Sequence, residues 1–228
     1  MPIDRIYGKL YLCSRLACPS RIINKCKKYT TLFYLPEYGG SKRQRQETEV
    51  MMNEDKIRET CKTDPELGFR RLMEKFQSPM YWHIRRMVVS HEDAEDVLQE
   101  TFIKIFRHLD DFRSESSLST WIYRIASNEC IRFLNRRKEQ AVSTEEVQED
   151  LMNKLMASEY VDYDNVMEVK FQQAILTLPE KQRLVFNLRY YDELKYEEIS
   201  RITDTKVETL KANYYFAKEK IKEYMINN

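Results

Sequence analysis

The chain has 228 residues, of which 33% are charged, 42% apolar and 12% aromatic, with only four Gly and six Pro. That leaves too little turn punctuation for a β-sandwich or a doubly wound α/β fold, and the apolar share is too large for global disorder. The net charge of +1, taken alone, argues against a strongly basic nucleic-acid binder.

The total conceals blocks. Residues 1–50 carry net +6, residues 51–140 net 0, residues 141–178 net −6 and residues 179–228 net +1. An acidic segment between two near-neutral stretches points to modular organisation. No apolar run approaches the roughly 20 residues that span a bilayer, so no direct membrane insertion is expected. Arg5, Lys9, Arg15 and Arg21 interrupt any signal-peptide core. The cysteines, at 13, 18, 26, 61 and 130, are odd in number and form no CxxC pair. His83, His91 and His108 do not flank them at zinc-site spacing. Free thiols in a reducing, cytoplasmic setting, with no metal and no cofactor, are the plain expectation.

In chain order, residues 1–51 form an N-terminal extension without helical period. Tyr29–Tyr38 (YTTLFYLPEY) reads as a short strand or an extended packing segment, and Gly39-Gly40 with the polar run after it reads as a linker. Two readings stay open: translation that starts at Met51 or Met52, or a genuine extra module.

Residues 52–138 read as a helical domain. Thr63-Asp64-Pro65 starts a helix, Ser78-Pro79 breaks it, and a second helix carries Trp82, Ile84, Met87 and Val88. Ser90 and Asp93 open a third, with Ala94, Val97, Leu98, Thr101, Phe102, Ile105 and Leu109 on one face. The polar loop Phe112–Ser119 follows, then a helix from Thr120 to about Arg137 with Ile122, Ile125, Ala126, Cys130 and Phe133 inward. Residues 139–164 form an acidic linker, in part helical or mobile. Residues 165–228 form a second helical domain. There Pro179 opens a helix, Tyr196–Ile202 is a short helix, Thr203–Thr205 a turn, and Lys206 to about Met225 a long helix. The fold class is therefore all-α, with two small domains.

Three constellations carry chemistry. At the C-terminal helix–turn–helix, Ile199, Ile202, Val207, Leu210, Tyr214, Ala217 and Ile221 close a small core. An outer face with Glu208, Lys211, Ala212, Tyr215 and Phe216 is left to enter a major groove, with Lys206, Lys211 and Lys218 near phosphates. A plain αα-hairpin that binds nothing has the same spacing. On the helix after the loop, Arg124, Asn128, Arg132 and Arg136 recur every fourth residue, near Trp121 and Tyr123. Cations, an amide and aromatics beside a loop suit unstacked single-stranded bases, although spacing alone favours an ordinary solvated face. On the third helix, Glu95, Asp96, Gln99, Glu100 and Lys104 face outward, either as dipole-matched acids or as a docking face for a basic partner helix.

Taken together, the run Asp93–Phe106 (DAEDVLQETFIKIF) and the following FRSESSLSTWIYRIASNECIRFLNRRK resemble conserved region 2 of the extracytoplasmic-function (ECF) group of sigma-70-family RNA polymerase sigma factors. The run LPEKQRLVFNLRYYDELKYEEISRITDTKVETLKANYYFAKEKIKEYM resembles their region 4. The resemblance covers about residues 60–226 and leaves residues 1–50 outside.

It implies a sigma factor, not an enzyme, that binds core RNA polymerase at the β′ clamp and β flap, directs it to promoters and promotes melting. Core-binding residues would be Glu95, Asp96, Gln99, Glu100 and Phe102. Phe112, Arg113, Ser114, Ser116, Ser119, Thr120, Trp121, Arg124, Asn128 and Arg132 would bind melted minus-10 DNA. Lys206, Glu208, Thr209, Lys211, Ala212, Tyr215 and Phe216 would read double-stranded minus-35 DNA. Such factors are commonly held by an anti-sigma factor, a further implied partner. Two departures stand out. Asp204 occupies a turn position that often holds Gly, at some conformational cost, and Asn213 and Phe216 replace common Arg residues, which puts a standard promoter sequence in doubt. The rivals are a helix–turn–helix regulator acting without polymerase, and a helical interaction protein or enzyme. No nucleophile–base pattern supports an enzyme.

Overall fold

The computed structural model describes residues 54–109, 112, 116–141, 144–156 and 166–227. The expectations for residues 1–51, including the Tyr29–Tyr38 segment and the Met51 or Met52 start, lie outside the described residues, as do Arg113 and Ser114. Among the described residues there are nine α-helices and no strand. We number them α1 (Glu54–Thr63), α2 (Pro65–Val88), α3 (His91–Arg107), α4 (Leu118–Gln140), α5 (Thr144–Met156), α6 (Val166–Leu176), α7 (Glu180–Tyr190), α8 (Tyr196–Thr203) and α9 (Val207–Asn227).

Helices α1 to α4 make the first bundle. Asp64 caps α2 by accepting the Leu67 N–H at 3.0 Å, with Pro65 in the first turn, where its missing N–H costs nothing. The expected break at Ser78-Pro79 does not occur: α2 runs unbroken to Val88 with Pro79 inside it. Pro79 lies on the exposed side, while Phe69, Leu72, Phe76, Met80, Ile84 and Met87 carry one buried stripe past it. Pro79 cannot donate a helical hydrogen bond, and burial of the stripe outweighs that loss. Where α1 crosses α2, Gly68 lets the backbones meet; a Cβ there would stand 2.5 Å from Cys61 Cα and N.

The α2–α3 junction stores strain. Val89 has φ 70° although it is β-branched, a conformation that costs about 1–3 kcal/mol. Its side chain is buried against Leu151 and Leu155 of α5 and Leu176 of α6, which offsets that cost. Ser90 then caps α3 by accepting the Asp93 N–H at 3.3 Å. The expected inward stripe of α3 is buried from Ala94 to Ile105. Ser117 caps α4 through the Thr120 N–H at 3.2 Å, and α4 extends beyond the expected bounds at both ends.

The acidic linker contains a true helix. α5 buries Leu151 and Leu155, and Arg137 and Lys154 both pair with Asp93 at 3.0 Å, Arg137 also holding Asp150 at 2.6 Å. In the second module Ala174, Ile175, Leu178, Phe186, Ala217 and Ile221 form one core. Glu198 returns to accept the Lys195 N–H at 2.8 Å and so closes the start of α8. Asp204 takes the left-handed conformation expected of the turn, φ 50° and ψ 44°. The two modules also touch directly, α7 on α2 and α8 on α4.

Candidate functional site

The helix–turn–helix presents one continuous face. Leu210, Ala217 and Ile221 anchor α9 inward. Lys206, Glu208, Thr209, Lys211, Ala212, Tyr215 and Phe216 are all exposed. The aromatic pair is unusual for a solvated helix: Tyr215 is 56% and Phe216 54% exposed, with ring centroids 5.7 Å apart. Lys211 Nζ stands 5.9 Å from the Tyr196 ring centroid, which draws it toward α8. Lys218 lies over the Tyr214 ring, and burial raises the Tyr214 phenol above its ordinary range, with the neighbouring Tyr196 as a further cause.

On α4, Arg124, Asn128, Arg132 and Arg136 are exposed as the four-residue spacing requires. At the helix start Phe112 packs on Trp121 with centroids 5.0 Å apart. The Ser119 N–H donates to Glu54 Oε2 at 3.2 Å, tying α1 to this end. Ser116 and Ser119 are half-buried. Thr120 is buried, with its hydroxyl 2.7 Å from Ser117 Oγ, so it serves the cap and does not face solvent.

Beneath the stripe lies an acid that the sequence pattern missed. Glu129 is buried and accepts from Lys104 Nζ at 2.6 Å and Arg132 Nη1 at 3.2 Å. Arg136 reaches Glu100 at 3.4 Å. The stripe is therefore bolted to α3, and Lys104 turns toward α4 instead of standing on the outer side. The only sequence signal was a lone acid among basic residues. Next to it Cys130 is wholly buried, and burial drives its thiol far up. Tyr123 is pushed up likewise, by burial first and by Asp192 second.

On α3, Asp96 and Glu100 are exposed and Glu95 and Gln99 half-exposed. Phe102 is not on that face. It is 2% exposed and meets Phe69 edge-on at 6.3 Å, because its offsets from Ala94 and Leu98 put it on the apolar stripe. It holds α3 in place from below.

The sigma-70 region 2 family model matches residues 72–140, and the sigma-70 region 4 model matches residues 168–221. The ECF RNA polymerase sigma factor SigW of Bacillus subtilis is 30% identical over 183 residues, 77% of this chain and 97% of its own length. The chain belongs to the ECF group of sigma-70-family RNA polymerase sigma factors. The ECF RNA polymerase sigma-E factor of Escherichia coli is 33% identical over 163 residues, 68% of this chain and 84% of its own. Two solved structures share the fold. CnrH in complex with the cytosolic domain of CnrY gives TM-score 0.58 at 16% identity, covering 77% of this chain and 98% of that one. The sigma factor RpoE with the anti-sigma factor NepR, from Bartonella quintana, gives 0.54 at 19% identity, covering 70% and 98%. A sigma factor is a transcription initiation factor and not an enzyme, and the polymerase-independent regulator is not favoured. Among the described residues no helix of this sigma factor is long and apolar enough to cross a membrane.

Proposed function

We propose that this sigma factor works in the cytoplasm, binds core RNA polymerase, directs it to a particular set of promoters and helps open the duplex. Residues 52–138 act as the core-binding and minus-10 module, and residues 165–228 as the minus-35 module. The reading is carried by one observation: in both matched regions the apolar stripe is consumed by the core while the opposite helix face stays open to solvent.

The roles divide by chemistry. Asp96 and Glu100, with Glu95 and Gln99, offer an acidic face to the β′ clamp, and region 4 meets the β flap. Phe112, Trp121, Arg124, Asn128 and Arg132 receive unstacked minus-10 bases; taking a base from the stack costs a few kcal/mol, which pocket contacts offset. Lys206, Glu208, Thr209, Lys211, Ala212, Tyr215 and Phe216 face the minus-35 duplex, where a good base contact is worth about 1–3 kcal/mol. An anti-sigma factor is a further partner, supported by the complex of the structural relative RpoE with the anti-sigma factor NepR.

Run-off transcription with purified core polymerase tests the whole. The expected result is promoter-dependent transcript only when this chain is added. No transcript together with no core binding refutes the reading, and duplex binding without polymerase would favour a free-standing regulator.

A further inference from the structure

The early turns of α9 carry an unusual set of side chains for a helix that is to read DNA. From Val207 to Phe216 the exposed positions are Glu208, Thr209, Lys211, Ala212, Tyr215 and Phe216. Lys211 is the one cation of this stretch, and it leans toward α8, 5.9 Å from the Tyr196 ring centroid. Asn213, the one amide, is half-buried, because its offsets of three and four from Leu210 and Ala217 put it on their side of the helix. The guanidinium fork that grips guanine and the exposed amide that grips adenine are therefore both missing from the middle of the face.

What stands there instead is apolar. Tyr215 and Phe216 are each more than half exposed, and their rings meet edge to face, with centroids 5.7 Å apart and planes at 73°. Two rings left in water forgo the free energy that burial would give. The core does not claim them: Leu210, Ala217 and Ile221 are the residues of α9 that it takes in. Ala212 lies one turn before the pair and adds only a methyl, so another surface can come close there.

The surroundings point to the kind of surface. Residues 206–222 hold five Lys and two Glu, net +3, which suits a phosphate backbone. In a major groove the C5-methyl of thymine is the apolar group on offer, and Ala and Phe are side chains that meet it. The ring spacing of 5.7 Å falls between one and two base-pair steps of about 3.4 Å, so the two rings reach neighbouring base pairs.

We propose that Ala212, Tyr215 and Phe216 read the minus-35 duplex through thymine methyl groups on neighbouring base pairs, at positions where an arginine would select guanine. This rests on the sigma-factor reading above and narrows it to a class of promoter. Lysines on phosphates place the helix without reading sequence; the apolar patch selects at its own two positions and leaves a flanking one to Lys211.

The test starts from a promoter library randomised at minus-35 and transcribed by core polymerase with the full chain. The winning sites should carry A·T pairs at two neighbouring positions. Uracil differs from thymine only by the missing methyl. Replacing those two thymines by uracil should weaken holoenzyme binding by about fourfold per methyl, and uracil placed in the spacer should change nothing. Phe216→Ala should remove part of that penalty, and Phe216→Arg should select guanine at one of the two positions. Both change an exposed side chain, and circular dichroism checks that the helices are kept. Winning sites without neighbouring A·T pairs, uracil tolerated without loss, or a Phe216→Ala chain that keeps the full penalty overturns the proposal. So does a folded Phe216→Ala chain that loses core binding, since the pair is then a protein-docking patch. A wild type that gives no core-dependent transcript from any library member overturns the sigma-factor reading, and the proposal with it.

Discussion

Gly68→Ala should destabilise this protein, against the intrinsic preference of a helix. In an exposed helix interior the change gains about 1 kcal/mol. Here the new Cβ would stand 2.5 Å from both Cys61 Cα and Cys61 N, and 2.6 Å from Cys61 Sγ. Two of these three atoms are backbone and cannot rotate away, so α1 must lift from α2. Overpacking of this kind costs about 1–3 kcal/mol, and the net change is a loss of about 1 kcal/mol or more. For a chain of this size that lowers the melting temperature by about 2–4 °C per kcal/mol. Thermal denaturation followed by circular dichroism measures it. The double variant Cys61→Ala with Gly68→Ala removes the sulfur but leaves the backbone contact, so it should not recover the loss. A raised melting temperature in Gly68→Ala, or full recovery in the double variant, refutes the close-approach account. Lifting α1 would also strain the bond from Ser119 N–H to Glu54 Oε2, so promoter opening should weaken along with stability.

Asn128→Ala should slow open-complex formation by about ten- to a hundredfold, the worth of one base contact of about 1–3 kcal/mol, with core binding retained; permanganate footprinting checks it. Asp96→Arg reverses an exposed charge on α3 and should weaken core binding at least about tenfold in a pull-down titration. Lys211→Ala should change the minus-35 preference in a promoter-library selection while leaving the fold intact, because its contact with Tyr196 is an exposed cation–π pair worth about 0.5–1 kcal/mol. Stability should fall in alkali. The Cys130 thiol is raised in the folded state, chiefly by burial, so the unfolded chain releases that proton first. Stability is complete below the unfolded thiol pKa of about 8.5 and declines above it by up to about 1.4 kcal/mol per pH unit. Cys130→Ala should flatten that part of the urea-denaturation profile, and an unchanged slope would contradict the assignment.

What could be read from sequence was local. The α3 stripe and the Asp64 and Ser90 caps follow from residues within a few positions of one another, the left-handed Asp204 follows from the family resemblance, and all are found. Pro79 failed as a breaker because the decision lay elsewhere: a buried stripe on the far side of α2 holds the helix together through it. Phe102 sits in the same helical period as the core, so assigning it to the docking face set the resemblance against the helix period, and burial settles the matter. Glu129 with Lys104 and Asp192 with His83 are 25 and 109 residues apart. No periodicity links such pairs; only the packing of α3 on α4 and of α7 on α2 brings them together. The extra helix in the linker was signalled by no more than Leu151 and Leu155, one turn apart.

The distribution of charge now bears on how this sigma factor would be confined to its promoters. Many cations near the proposed minus-10 face already have an acid: Arg132 has Glu129, Arg136 has Glu100, Arg137 has Asp93, and Lys138 has Glu180. A cation that must leave an internal carboxylate to meet a phosphate gains little net energy, because one ion pair is exchanged for another. On the two proposed DNA faces, among the described residues, duplex binding then rests on Arg124 and the few lysines of α9, and should be weak and steeply salt-dependent. Docking on polymerase would fix the distance between the two faces and let them bind one promoter together. Paired charges on the proposed minus-10 face are thus suited to promoter specificity that depends on the polymerase: a face whose cations already hold acids gains little from random DNA.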